Sequence, residues 1–161
     1  MMQMDEQSWQ TRDYRAEDAP ALAALSRAAI LGLGPQAYPA EQCAAWAAVL
    51  VDDEAWTQRL QEAWVRVAHD DDGNIVGFGA IALPGQIDLL FTEPDRSRQG
   101  VASLILDDLL AIAAAMGARS LTVKVSALSR GLFERHDFVA DGPPAERPGL
   151  PAGQPMRRAK V

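Results

Sequence analysis

The stretch Thr92-Glu93-Pro94-Asp95-Arg96-Ser97-Arg98-Gln99-Gly100-Val101-Ala102 decides how this chain reads. An apolar segment, Ile87-Asp88-Leu89-Leu90-Phe91, precedes it, and a long apolar-striped segment over residues 101–116 follows. A strand, a short basic glycine loop and a helix start together make a device for holding phosphate. The first N–H groups of a helix have no intrahelical partner, and the helix dipole adds partial positive charge there. Arg96 and Arg98 add full charges, and Gly100 lets the backbone approach a ligand with no Cβ in the way.

Two nucleotide-binding patterns are excluded. There is no Gly-Lys-Ser or Gly-Lys-Thr for a P-loop, and a dinucleotide fingerprint needs three spaced glycines where only Gly100 is present. The rest of the chain narrows the class further. Its 161 residues suit one domain, residues 1–161, with a real core. No apolar run is long enough for a membrane span, and the acidic start, Met1-Met2-Gln3-Met4-Asp5-Glu6, does not read as a secretory signal. Cys43 is the only cysteine, which with the absence of a signal gives a cytoplasmic reading. The formal net charge of −7 disfavours nucleic-acid binding and mildly favours a cationic small substrate.

Periodicity and punctuation give the element order. A strand over residues 10–14 leads to a helix over 21–31, ended by Gly32 and Gly34-Pro35, and to helices over 41–50 and 53–63. Residues 64–69 and 75–83 alternate as two strands around the turn Asp70-Asp71-Asp72-Gly73-Asn74, and Pro84-Gly85 leads into a strand over 86–91. After the helix that ends near Gly117, residues 120–125 form a strand with Leu121, Val123 and Val125 inward. A short helix over 128–135 and a strand over 138–140 follow. Residues 143–155 hold five prolines and read as a loop, with a short strand near Met156 and the basic cluster Arg157-Arg158-Ala159-Lys160 on an edge strand or tail. The class is mixed α/β.

Strand, Pro94, basic residues, Gly-Val-Ala, helix, strand and then Leu132-Phe133-Glu134-Arg135-His136-Asp137-Phe138 together resemble the GNAT superfamily of acyl-CoA-dependent N-acyltransferases. That family's motif Gln/Arg-x-x-Gly-x-Gly/Ala falls on Ser97-Arg98-Gln99-Gly100-Val101-Ala102, and its later aromatic, charged pair and Gly-Phe fall on residues 133–138. The resemblance covers residues 65–140 and implies a mostly antiparallel sheet flanked by helices and splayed at the acyl-CoA site.

The same resemblance implies acetyl-CoA as co-substrate and no metal. Backbone N–H groups of Arg98, Gln99, Gly100, Val101, Ala102 and Ser103 would hold the pyrophosphate, and Leu90, Phe91 and Thr92 would pair with pantetheine like an added strand. Ser126, Ser129 and Phe133 would line the other wall, and Tyr38, Trp46 and Trp56 lie in the region that covers the acceptor. The implied activity is direct acetyl transfer to a primary amine, on a small molecule or a peptide. It calls for a base, an N–H near Leu90 or Phe91 for the carbonyl, and an acid for the thiolate. A homodimer is common in the family.

Three departures stand out. Ser97 replaces the usual Gln or Arg, so the cradle rests on backbone N–H groups and the nearby arginines. Asp137 stands where glycine is common. Phe133 stands where many members place a proton-donating tyrosine, which leaves water, the amine's own proton or Tyr38 for that task. Asp88 is the candidate base, read as sharing a face with Gln86 and Leu90; the alternative is an edge residue satisfying its neighbours. His69 and His136 read as surface residues, Cys43 as core or cleft lining, and the Asp70–Gly73 run as a turn rather than a calcium loop. The rival to an enzyme is a non-catalytic acyl-CoA-binding or sensing domain; a third reading is a ligand-free interaction domain.

Overall fold

The computed structural model describes residues 8–82, 85–148 and 150–159. Leu83, read from the sequence as the end of the 75–83 strand, and Pro84, read as part of the turn that follows it, lie outside them. The described chain holds five α-helices and eight strands, and the strands form one sheet in the order β1-β2-β3-β4-β5-β8-β6, with β7 paired to β8. The strands are β1 Gln10–Asp13, β2 Trp64–His69, β3 Ile75–Ala82, β4 Gln86–Thr92, β5 Leu121–Val125, β6 Val139–Ala140, β7 Ala145–Arg147 and β8 Leu150–Arg158. The helices are α1 Ala19–Leu33, α2 Ala40–Ala48, α3 Glu54–Gln61, α4 Val101–Ala115 and α5 Arg130–Arg135. All sheet pairings are antiparallel except β4 with β5.

The sheet separates two cores. Leu22, Trp46, Trp56 and Leu60 from α1, α2 and α3 meet Val67, Phe78, Ala80 and Leu89 on one face. Ile105, Leu106 and Leu109 from α4 meet Val76, Ile87, Leu121, Val123 and Val125 on the other. The α4 stripe Val101, Ile105, Leu109 and Ala113 follows the helical period, and each buried Leu or Ile contributes about 1.5–3 kcal/mol by removal from water. Gly79 lets α4 press onto β3: a Cβ there would stand 2.7 Å from Ile105 Cγ2 and 2.9 Å from Leu109 Cδ1.

Several boundaries differ from the sequence reading. α1 runs through Gly32 to Leu33, because Gly32 serves close approach rather than termination: a Cβ there would stand 2.8 Å from the ring of Pro94. That contact seats the loop before α4 against α1. The proline-rich segment is not a loop but the β7–β8 hairpin, and β8 lies inside the sheet between β5 and β6. Pro155 is tolerated because its carbonyl faces the β6 side and accepts from Asp141 N–H at 2.9 Å. Its nitrogen faces that side too, so the ladder to β5 loses no bond. Pro151 sits beside the register shift between β7 and β8, and its carbonyl is taken by the Arg147 side chain. Arg157 and Arg158 therefore belong to an interior strand, not an edge or tail.

At the start of α1, Arg12 donates two hydrogen bonds to the buried Asp18 carboxylate, at 2.8 and 2.9 Å. Those bonds hold the Asp18 carboxyl below its ordinary pKa, opposed by burial and aided by the Arg15 backbone N–H. Because the folded value is depressed, this stabilisation is complete above the unfolded carboxylate range and is lost as pH falls through the folded value. Asp18→Asn should cost about 3 kcal/mol near neutral pH, since it leaves Arg12 without its counter-charge. Urea unfolding of both proteins at neutral and acidic pH checks this: the gap between them should shrink in acid.

Candidate functional site

β4 and β5 are joined by α4 in a parallel crossover, yet they pair only at Gln86–Thr122 and Ile87–Val123. Beyond that point the strands part, and a cleft of about 940 Å³ opens between them. The rest of β4 has one free edge. Glu93 N–H bonds Val76 O at 2.8 Å, and Phe91 lies opposite Phe78, so the odd-numbered amides here face β3. By the two-residue alternation of antiparallel pairing, the amides of Leu90 and Thr92 face the cleft.

The free edge leads to the start of α4. Gly100 is its N-cap at φ +88°, and the first intrahelical bond in the turn runs from Leu104 N–H to Gly100 O at 3.0 Å. The N–H groups of Val101, Ala102 and Ser103 thus lie in the helix's unpartnered first turn. Arg98 also takes a left-handed conformation, at φ +62°, which turns the backbone around the cradle. A Cβ built at Gly100 meets nothing within 4 Å apart from its chain neighbours, so the space beside this N-cap is open. This arrangement fits the phosphate end of coenzyme A, and the free β4 edge fits its amide-bearing arm.

The loop is braced from behind. Trp9 Nε1 donates to Gln99 O at 3.0 Å, the Arg96 guanidinium lies 5.5 Å from the Trp9 ring, and Gln99 Nε2 donates to Asp95 O at 3.3 Å. Arg96, Ser97, Arg98, Gly100, Ala102 and Ser103 line the cleft, whereas the Gln99 side chain bonds back to the loop and Val101 is buried in the core. Leu90, Phe91, Thr92, Ser126, Ser129 and Phe133 line it as well. Phe133 is buried, with its ring edge-on to Phe138 at 5.1 Å, and carries no exchangeable proton.

Asp88 lies at the bulge in β4. Ala80 pairs with Leu89 and Ile81 with Ile87, which leaves Asp88 as the extra residue. The strand therefore changes face there: Ile87 packs with α4 and Leu89 with the opposite core. Simple alternation fails for this reason, and Asp88 does not share a face with Leu90, which packs toward α4. Asp88 instead accepts from Arg59 Nε at 2.7 Å and Nη2 at 3.0 Å while lining the cleft.

Among the described residues, Asp88 is the one carboxylate lining the cleft, against six cations: Arg59, Arg96, Arg98, Lys124, Arg135 and Arg147. The cleft is thus cationic in a chain of formal charge −7. No sequence pattern assigns Arg59, Lys124 or Arg147 to the site, whereas Arg135 falls within the motif over residues 133–138; Arg147 in addition lies in the segment read as a loop. Burial pushes the Arg147 guanidinium below its ordinary pKa, opposed by the nearby Tyr38, though arginine stays charged at neutral pH.

The acceptor-side aromatics separate. Trp46 lines the cleft, with its ring 6.4 Å from Phe91. Tyr38 stands behind the lining, where its hydroxyl accepts from Ala127 N–H at 2.8 Å and so ties the α1–α2 connection to the end of β5. Trp56 is buried, with Nε1 donating to Ala19 O at 2.9 Å. Cys43 is buried on the α2 face that also carries Trp46. His69 and His136 are half-buried rather than on the surface, each with Nδ1 on a backbone carbonyl, Asp70 O and Leu132 O. The Asp70 side chain closes its turn by accepting from the N–H groups of Asp72 and Asn74, and no metal-binding cluster occurs among the described residues. Asp137 adopts φ +67°, the left-handed turn conformation that glycine usually supplies. No helix among the described residues is long and apolar enough to cross a membrane.

Known proteins share this architecture. A solved structure of a GCN5-related N-acetyltransferase from Rhodopseudomonas palustris superposes with a TM-score of 0.87 at 32% identity, covering 98% of this chain and 99% of that one. The PaiA N-acetyltransferase of Thermoplasma acidophilum, solved in complex with coenzyme A, shares the fold at a TM-score of 0.76 and 15% identity, over 94% of this chain and 99% of its own. In sequence the chain is 31% identical over 131 residues to YafP, an uncharacterized N-acetyltransferase of Escherichia coli (strain K12), covering 80% of each. The acetyltransferase (GNAT) domain model matches residues 35–160. A sheet that parts at β4 and β5, a glycine-capped α4 behind a basic loop, and these relatives agree: the chain belongs to the GNAT acetyltransferase family.

Proposed function

We propose that this protein transfers an acetyl group from acetyl-CoA directly to a primary amine. The observation that carries the reading is the continuous track from the free edge of β4 to the open amides at the start of α4. Bound acetyl-CoA would supply an activated thioester, whose acetyl group passes to nitrogen as the carbon–sulfur bond breaks and coenzyme A leaves as the thiol. The chain's own part begins with the N–H groups of Val101, Ala102 and Ser103, aided by Arg98, which bind the phosphates. Leu90 and Thr92 align the pantetheine arm through their backbone groups, and the Leu90 N–H is placed to polarise the thioester carbonyl; Phe91, whose amide faces β3, is not.

Asp88 is the proposed proton acceptor for the ammonium. Both its oxygens take a bond from Arg59, and each keeps a lone pair for a water or the amine. Phe133 donates nothing to the departing thiolate, so solvent or the amine's proton completes that step; a thiolate with a pKa near ~8.5 is an adequate leaving group unaided. Ser126, Ser129 and Phe133 close the opposite wall, and Trp46 lines the acceptor side.

Thiol release from acetyl-CoA, followed across a panel of primary amines, tests the proposal. The expected result is amine-dependent release with stoichiometric N-acetyl product. Binding of acetyl-CoA without release for any amine would instead favour a non-catalytic acyl-CoA sensor, the reading that the absent tyrosine at Phe133 invites.

A further inference from the structure

Of the six cations that line the cleft, the proposed phosphate loop accounts for only two. Arg96 and Arg98 belong to the loop before α4. Lys124 and Arg147 stand elsewhere, on β5 and β7. Leu121, Val123 and Val125 turn toward the α4 core, so the exposed Lys124 faces the other side of the sheet, where α1 and α2 pack. Arg147 joins it there. A Cβ at Gly153 would lie 3.0 Å from Arg147 Cζ and Nε and 3.0 Å from Lys124 Cβ, so that glycine is what lets the guanidinium settle beside β5.

Neither cation has a carboxylate partner within salt-bridge distance among the described residues, whereas the charge of Arg59 in the same cleft is paired with Asp88. Arg147 spends Nε and one N–H of Nη2 on Pro151 O, at 3.1 and 2.8 Å. A guanidinium carries five N–H bonds, so both on Nη1 and one on Nη2 are left, and that end-on pair matches the two oxygens of a carboxylate. Holding a half-buried arginine against the hairpin with no counter-ion is costly unless a ligand supplies one.

From this geometry we infer that Lys124 and Arg147 form a carboxylate-binding subsite, and that the acceptor is a small amino-carboxylate of the amino-acid type. The subsite rests on the acetyltransferase reading above and deepens it. It also reverses the expectation of a cationic acceptor: the whole-chain charge is negative, but the charge facing the acceptor is positive. Trp46, Leu50 and Leu150 supply apolar lining around the acceptor's remainder.

The test is a panel of amino acids, each set beside its carboxamide and its decarboxylated amine, with acetyl-CoA as donor. The wild-type protein should prefer the carboxylate form in kcat/KM, chiefly through KM. Arg147→Gln and Lys124→Gln should each reduce that preference roughly tenfold, the loss of one charge-assisted bond, and Arg147→Lys should restore part of it. Lys124 has an exposed side chain, so its variant remains informative if Arg147→Gln folds poorly.

Equal or better use of the carboxamides and plain amines by the wild type would overturn the subsite, as would a preference unchanged in both variants. A binding arm separates this from failure of the enzyme reading. In the presence of coenzyme A, N-acetyl-L-alanine should bind more tightly than N-acetyl-L-alaninamide, and the difference should shrink roughly tenfold in Arg147→Gln. That result with no turnover of any acceptor would sustain the subsite and overturn the transferase alone; no difference in the wild type would overturn the subsite.

Discussion

Gly100→Val should weaken coenzyme A binding by about 100-fold or more while leaving the fold in place, an expectation built on losing several charge-assisted bonds at once. Gly100 has φ +88°, a conformation that β-branched residues adopt at a cost of roughly 1–2 kcal/mol. Apart from its chain neighbours, no protein atom lies within 4 Å of a Cβ there, so the substitution points into open space. What the side chain would occupy is open space at the N-cap of α4, beside the proposed phosphate site. Gly73 provides the matched control. It has φ +85°, also meets nothing within 4 Å, and lies in the β2–β3 turn away from the cleft. Gly73→Val should lose similar stability and keep wild-type affinity for coenzyme A. Calorimetric titration of both variants checks the contrast, and equal affinities would remove the α4 cradle from the binding site.

The second large effect concerns Asp88. Asp88→Asn keeps the size and planarity of the side chain and still accepts one bond from Arg59, but its amide cannot take a proton. If the bulge carboxylate receives the ammonium proton, kcat/KM should fall about 10²- to 10⁴-fold. The loss should narrow as pH rises, because more of the amine then arrives already neutral. Stability should change by less than about 1 kcal/mol, since a solvent-exposed ion pair contributes little. A near-normal rate together with a measurable stability loss would show that Asp88 only anchors α3 to β4. The pH–rate profile distinguishes the two roles, because an anchor has no reason to shift it.

The parts of the fold that are legible in the sequence are those whose signals are local. The α4 stripe, the αL stop at Gly117, the Asp70 turn and the alternation of Leu121, Val123 and Val125 all appear where periodicity and turn chemistry place them. The phosphate loop belongs to this class, because a helix start and a glycine are contiguous. What is not legible depends on partners distant in the chain. β8 carries Pro151 and Pro155, and only the pairing of β5 and β6 on its two sides makes those positions harmless. The bulge at Asp88 inserts one residue without any glycine or proline to announce it, so a strict period of two assigns its face incorrectly. Gly32 illustrates the same limit, because its helix-breaking reputation says nothing of the Pro94 ring that presses against it.

The site divides along the same line. The proposed donor end is built from consecutive residues and reads directly. The proposed acceptor end is assembled from α1, α2, α3, β4, β5 and the β7–β8 hairpin, and its charges come from Arg59, Lys124 and Arg147, which are far apart in sequence. Whole-chain charge is a poor guide there, since the −7 total averages over a surface that the acceptor does not meet. Tyr38 shows the converse: its place near the acceptor region in sequence suggests contact, while its bond to Ala127 N–H makes it a strut behind the wall.

The most direct test of the account is a calorimetric titration of coenzyme A into the wild-type protein at low and raised salt. A free β4 edge leading to a basic, glycine-capped helix start predicts saturable one-to-one binding that weakens as salt screens the phosphates. No binding at roughly 1 mM coenzyme A, an affinity weaker than about −4.1 kcal/mol, would contradict it.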